Sequence, residues 1–224
     1  RGNYLAQDRS DIQYAVKELS RAMCNPTIND NKKLKRLARY LIGRERAVVE
    51  FQYQNNWKAI EVWSDTDYAG CKRTRKSSTG GVVKLGEHVI KTWSNTQAII
   101  ALSSGEAEFY GIVKGGSVGL GMKSILEDLG ISKKLKLMTD SSAAKGIASR
   151  RGLGKVRHIE VNQLWIQDKV ARAEIELVKV PGNANVADAL TKAVDASELQ
   201  YHMQQVAITI VEGRHDLMPH VDCN

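Results

Sequence analysis

The hydrophobic period of this chain changes once and then alternates, and that change limits its possible folds more than any other feature. Up to about residue 43 the apolar positions recur at helical spacing: Ile12, Ala15, Val16, Leu19 and Met23, then Leu34, Leu37, Ala38 and Leu41. Ser10 or Asp11 can cap the first of these helices and Asn25-Pro26 can end it, while Gly43 stops the second. From residue 47 the period becomes two. AVVEFQYQ (47–54) and WKAIEVW (57–63) are rich in β-branched and aromatic residues and flank Asn55-Asn56, which predicts a hairpin. GGVVKLG (80–86) and HVIKTWS (88–94) continue the strands.

After the strands the order becomes αβαβα. Ser104, with Glu106 close behind, predicts the start of a helix running to about Leu129 and stopping at Gly130. Gly111, Gly115, Gly116, Gly119 and Gly121 oppose that helix, so either it breaks there or its small residues let it lie close against a sheet. LKLMTDS (135–141) and IELVKVPG (175–182) read as strands; SAAKGIASR (142–150), HIEVNQLWIQDKVAR (158–172) and NVADALTKAV (185–194) read as helices. The sum is an α/β chain with a mixed sheet flanked by helices, preceded by a small helical appendage. ELQYHMQQVAI (198–208) adds a last helix before a tail holding His215, His220 and Cys223, whose spacing matches no common metal-ligand pattern.

The longest apolar runs, such as AIIAL at 98–102, fall far short of the roughly 20 residues of a membrane-spanning helix. Cys24, Cys71 and Cys223 are odd in number and lack a CxxC pair, which argues against a disulfide framework and for an intracellular location. The opening Arg1-Gly2 suggests a processed or excised piece of something longer. Lys and Arg number 33 against 25 Asp and Glu, a formal charge of +8 that suits a polyanionic partner, nucleic acid first.

Four carboxylates stand where folding alone would not ask for them: Asp65 and Asp140 at strand ends, Glu108 in a helix's first turns, Asp188 at a late helix start. Strand ends and helix N-termini share one edge of an open sheet, so these positions can converge. Singly, each is weak, since an Asp at a strand end is more often a turn former or a cap. Gathered, they would repel unless cations sat between them, and hard oxygen ligands favour Mg²⁺, with Mn²⁺ able to substitute. Two such ions can activate a water and stabilise both oxygens of an in-line phosphodiester hydrolysis.

At these residues the chain resembles the ribonuclease H domain of copia-type LTR retrotransposons, which follows reverse transcriptase in their polyproteins. The resemblance runs through SDTDYAGCKRTRKSSTGG (64–81), IKTWSNTQAIIALSSGEAEFYG (90–111), MTDSSAAKG (138–146), KVRHIEVNQLWIQDKV (155–170) and NVADALTK (185–192). It implies a ribonuclease H-like fold with a five-stranded mixed sheet over residues 47–194, a connection remnant of reverse transcriptase over 1–46, and a C-terminal helix and tail over 195–224. It also implies cleavage of the RNA strand of an RNA/DNA hybrid, with Asp65 bridging two ions, Glu108 and Asp140 on the ion near the leaving oxygen, and Asp188 on the ion near the attacking water. Glu106 competes with Glu108. The glutamate before the aromatic in GEAEFYG matches the family's helix ligand, and two residues' separation puts the two side chains on different helix faces.

Lys72, Arg73, Arg75, Lys76, Arg150, Arg151, Lys155 and Arg157 are expected to touch phosphates, and Ser78 and Thr79, with Ser77 and the backbone at Gly80 and Gly81, to reach 2′-hydroxyls. Trp63, Trp93 and Trp165 read as core, Asp67 as support behind the ligands and Asp128 as a bystander. PGNANVAD before the last ligand is short and holds no histidine, a departure from cellular ribonucleases H that implies slower turnover. The expected partners are the hybrid and the polymerase part of the parent polyprotein, in cytoplasmic retroelement particles, with the isolated fragment monomeric. A non-catalytic tethering module is the competing reading. A DnaQ-like exonuclease or an integrase core would order its carboxylates differently.

Overall fold

A computed structural model describes all residues of the chain except 155–157, 214, 216 and 218–224. Three N-terminal helices, α1 (Gly2–Leu5), α2 (Ser10–Ser20) and α3 (Ile28–Leu41), form the appendage. Thr27 and Asp30 make a reciprocal capping box at the start of α3. Ile12 and Val16 of α2 are buried against Leu37, Tyr40 and Leu41 of α3.

The main sheet has five strands: β2 (Ala59–Asp67), β3 (Ser78–Leu85), β4 (His88–Thr96), β5 (Lys134–Thr139) and β6 (Glu176–Lys179). Their spatial order is β4-β3-β2-β5-β6. The β2–β3 and β3–β4 pairs are antiparallel; β2–β5 and β5–β6 are parallel. An antiparallel meander, β2-β3-β4, whose first strand is central and has parallel neighbours beyond it, makes a mixed five-stranded α/β sheet flanked by helices, as expected.

The expected hairpin between residues 47–54 and 57–63 is not formed. As the central strand, β2 already has both edges paired, by β3 and β5, so no edge is left for the preceding segment. Instead β1 (Arg46–Val49) pairs antiparallel with β7 (Ile208–Val211), a strand the sequence did not suggest. The outward alternation ends at Val49: Ala47 and Val49 pack inward with Ile208 and Ile210, whereas Phe51 and Tyr53 are exposed. This ribbon and α7 (Ala196–Gln205) cover one face of the main sheet around Val82, Leu190 and Met203.

The other face is covered by α4 (Ser104–Asp128), which runs unbroken and is capped by Ser103 rather than Ser104. Its glycines permit close approach. A Cβ on Gly111 would lie 2.7 Å from Thr66 Oγ1, and one on Gly119 would lie 2.7 Å from Leu135 Cδ1. Phe109 and Ile112 of α4 are fully buried with Ile60, Val62, Leu135 and Leu137. Burial of this kind contributes on the order of 2 kcal/mol per large side chain.

Two expected helices are shorter than their apolar spacing suggested. Residues 158–172 divide into a 3-10 turn, Val161–Gln163, and α6 (Trp165–Ala171). The segment 185–194 holds only a 3-10 turn, Asp188–Leu190. Side chains take over its backbone satisfaction: Asn185 accepts from Ala187 N–H and donates to the Ser64 carbonyl, and Thr191 Oγ1 lies 2.9 Å from the Asp188 carbonyl. α5 (Ser142–Ser149) is capped by Ser141 as expected. Buried His202 of α7 donates from Nδ1 to the Val186 carbonyl and accepts at Nε2 from Ser10, which ties α7 to α2. Among the described residues no helix is long and apolar enough to cross a membrane.

Candidate active site

Asp65 lies near the C-terminal end of central β2, and Asp140 directly follows β5, its parallel neighbour. Parallel strands end at the same edge, so the two carboxylates meet there. Glu108, in the second turn of α4, reaches the same point because α4 lies tight on β2 at Gly111. One oxygen from each of the three lies within 4.8 Å of the others.

The three differ in support. Asp65, 6% exposed, accepts from Thr191 Oγ1 at 2.5 Å on one oxygen and from Asn185 Nδ2 at 3.3 Å on the other. Oε2 of Glu108 is buried and has no hydrogen-bond partner among the described residues. Asp140 is half-buried, with the loop at Gly182 close enough that a Cβ there would sit 3.3 Å from its Oδ2.

Asp65 and Glu108 do not ionise freely. Burial, together with the charges of Asp188 and Asp140, pushes Asp65 up to about 6 despite the Thr191 hydrogen bond. Burial, then Asp65 and Asp140, pushes Glu108 up to about 9. A buried carboxylate oxygen without a donor, facing two others, costs several kcal/mol unless a cation or a proton answers it. An all-oxygen donor set of this kind fits a hard divalent cation.

Asp188 does not join that set. Its carboxylate pairs with Lys192 at 2.8 Å and is partly exposed, although its charge is still felt at Asp65 and Glu108. Glu106 is held elsewhere. It is 2% exposed and accepts from Leu102 N–H, Tyr110 Oη and His158 Nε2 at 2.6–2.8 Å. Burial pushes its pKa up, but these three donors outweigh burial and hold it below the usual carboxylate range. Its oxygens face away from the triad, toward the start of α4 and His158.

The basic positions are scattered in their exposure. Lys72, Arg73 and Arg75 are exposed and Lys76 half-buried, in the loop between β2 and β3. Arg73 donates to the Arg21 carbonyl at 3.3 Å. Ser77, Ser78 and Thr79 are buried, with hydroxyls already engaged: Ser77 accepts from Ala69 N–H, Ser78 from Lys17 Nζ at 2.6 Å and Thr79 from Gln97 Nε2 at 2.9 Å. Arg150 is half-buried and donates to the Leu153 carbonyl, and Arg151 is exposed. Lys155 and Arg157 lie outside the described residues, as do His220 and Cys223 of the tail. Trp93 is buried, and Trp63 and Trp165 are half-buried against the cores. Asp67 is half-buried behind Asp65, and Asp128 is exposed.

Sequence reasoning did not single out Asn185, Thr191 and Lys192, which hold Asp65 and Asp188. Their signal was present: all three lie in or beside NVADALTK, and a Thr three residues after an Asp is well placed to fold back on it.

No family model matches the chain. It is 31% identical over 211 residues to the retrovirus-related Pol polyprotein from transposon RE1 of Arabidopsis thaliana, a match covering 93% of this chain and 14% of that protein. It is 30% identical over 194 residues to the retrovirus-related Pol polyprotein from transposon TNT 1-94 of Nicotiana tabacum, covering 86% and 14%. The chain therefore spans 14% of the length of these curated relatives. Among solved structures it is similar to the N-terminal ribonuclease H domain of rv2228c from Mycobacterium tuberculosis, a fusion with maltose binding protein, at a TM-score of 0.41 and 20% identity, covering 68% of this chain and 100% of that one.

Proposed function

We propose that the chain, similar over 86–93% of its length to segments of retrovirus-related Pol polyproteins from plant transposons, is a ribonuclease H that hydrolyses the RNA strand of RNA/DNA hybrids. The observation that carries this reading is the meeting of Asp65, Glu108 and Asp140 within 4.8 Å at the edge where parallel strands end. Asp65, Glu108 and Asp140 would hold divalent cations, Mg²⁺ with Mn²⁺ as substitute, and Asp188 would complete the set by leaving Lys192. When bound, two such ions supply an activated water and stabilise the charge that develops on the attacking and leaving oxygens.

The remaining roles belong to the chain's own groups. Thr191 and Asn185 fix the rotamer of Asp65, so its oxygens are aimed before substrate arrives. Lys192 neutralises Asp188 and would be free to turn to a phosphate oxygen once a cation engages that carboxylate. Lys72, Arg75 and Arg151 would contact phosphates, together with Lys155 and Arg157. Ser78 and Thr79 would act through the backbone they fix, since their hydroxyls are engaged. The parent polyprotein would supply the polymerase whose hybrid product is degraded, inside intracellular retroelement particles, and the fragment alone would be a monomer.

A second reading, a catalytically weak nucleic-acid-binding module, is favoured by one observation: Asp188 is engaged with Lys192 outside the triad. A labelled 18-base-pair hybrid separates the two. Cleavage of the RNA strand with Mg²⁺ or Mn²⁺, lost by about 100-fold or more in Asp65→Asn and Glu108→Gln, supports the nuclease. A wild type that binds the hybrid but leaves it as intact as Asp65→Asn does under both ions establishes the binding module.

A further inference from the structure

The positive charge of this chain is concentrated in its appendage. Residues 1–46 hold 11 of the 33 Lys and Arg but 5 of the 25 Asp and Glu, so six of the eight excess positive charges fall in one fifth of the sequence. Most of that excess is on α3. Lys32, Lys35, Arg36 and Arg39 are all exposed, and among the described residues none of them has a carboxylate partner. At 100° per residue they fall within about 100° of one another on the helix, so they form one face.

That face borders a groove that reaches Lys192. A groove of about 370 Å³ runs between α2, α3 and the segment after Asp188, with Lys33 and Arg36 on one wall and Lys192 on the other. Lys192 is the residue that pairs with Asp188. The two acids in the groove are already neutralised: Asp11 is buried in a pair with Arg9, and Glu18 is paired with Lys17 and Arg21. Lys33 and Lys192 are themselves paired, with Asp30 and Asp188, so the positive charge left to solvent is that of Arg36 in the groove and of Lys32, Lys35 and Arg39 on the outer face of α3, and Lys192 links the groove to Asp188.

The geometry points to α3 as a phosphate-binding surface that holds the RNA/DNA hybrid beside the carboxylate site. This rests on the proposed hybrid substrate and adds a third set of phosphate contacts to those proposed for the β2–β3 loop and for the basic residues near 150. The occupant is a duplex backbone because the recognition is by bare cations spaced along a helix, which suits evenly spaced phosphates and reads no sequence. The appendage is then part of the substrate-binding surface, and the cleaved strand is positioned from the N-terminal side.

The test is equilibrium binding by the full chain in an Asp65→Asn background, which spares the hybrid. One variant replaces Lys32, Lys35, Arg36 and Arg39 with Gln. The other removes four lysines at the opposite sheet edge, Lys58, Lys123, Lys133 and Lys134. Melting temperatures and circular dichroism verify that both fold. The α3 variant is expected to lose about tenfold or more in affinity near 0.1 M salt, and its log–log salt slope is expected to flatten by about 2–4. The control is expected to change by less than about threefold. Equal losses in both variants would mean that only net charge matters and would overturn the assignment. Undiminished binding by the α3 variant would overturn it too and leave the face to a protein partner. A wild-type chain that binds but never cuts removes the nuclease reading alone; one that cuts while the α3 variant binds normally removes this inference alone.

Discussion

Thr191 donates its hydroxyl hydrogen to Asp65 Oδ2 across 2.5 Å, joining residues 126 positions apart in the chain. The same hydroxyl contacts the Asp188 carbonyl at 2.9 Å. One side chain thus fixes the central carboxylate and contacts the turn that carries Asp188. Thr191→Val keeps the shape and removes the donor. It is expected to cost about 1–3 kcal/mol in thermal or urea unfolding, to lower hybrid cleavage by about tenfold, and to move the acid limb of the pH–rate profile upward, because the lost hydrogen bond is one that lowers the Asp65 pKa.

The raised carboxylates fix the sign of the pH dependence without divalent ions. Asp65 and Glu108 titrate at about 6 and about 9 in the folded chain, and near 4 when unfolded. A group with a raised folded pKa adds stability that is fully present below the unfolded value and is lost as pH rises through the folded one. In EDTA the melting temperature is therefore expected to fall between pH 5 and pH 9. Asp65→Asn should remove on the order of 2 kcal/mol of that fall. Saturating Mg²⁺ should flatten the wild-type curve, measured by thermal scans at fixed ionic strength.

Glu106 and Glu108 should separate cleanly. Glu106→Gln breaks a buried carboxylate's bonds to Leu102, Tyr110 and His158 and is expected to destabilise by about 1–3 kcal/mol. Glu108→Gln removes a buried charge that has no donor on Oε2 and is expected to raise stability in EDTA while abolishing cleavage. Chemical denaturation and hybrid cleavage on both variants check the pair.

Close packing of α4 has its own test. At Gly119 a Cβ would meet Leu135 at 2.7 Å and Val62 at 2.9 Å. Gly119→Val is therefore expected to push α4 off the sheet and cost about 2–4 kcal/mol in urea unfolding, despite the better helix propensity of any residue over Gly.

Much of this site was legible because its residues sit where periodicity breaks. Asp65 and Asp140 end apolar strands and Glu108 follows a capping serine, positions that made each a candidate, and the resemblance then gathered them into one set. Helical spacing says only that Glu106 and Glu108 face different ways, and the resemblance chose between them; Glu108 lies beside Asp65 and Asp140, while Glu106 bonds to Leu102 N–H. Less legible was what depends on long-range pairing. The ribbon of Val48 with Thr209 joins segments that each look like ordinary edges of something else. Residues 47–54 read as half of a hairpin because local alternation cannot reveal that β2 is central. The 185–194 segment reads as a helix because apolar spacing is blind to the tertiary bonds of Asn185 and Thr191 that hold it as a turn. Burial of Ser78 and Thr79 by Lys17 and Gln97 was likewise invisible, since those partners come from α2 and the start of the α4 connection.

The account turns on whether the carboxylates of Asp65, Glu108 and Asp140 bind divalent cations together. Mn²⁺ titration of the full chain, followed by electron paramagnetic resonance of the free ion, reads this directly and needs no nucleic acid. The account predicts saturable binding that weakens by about tenfold or more in Asp65→Asn and in Glu108→Gln and persists in Glu106→Gln. Binding that is absent in the wild type, or that survives Asp65→Asn and Glu108→Gln unchanged, would contradict it.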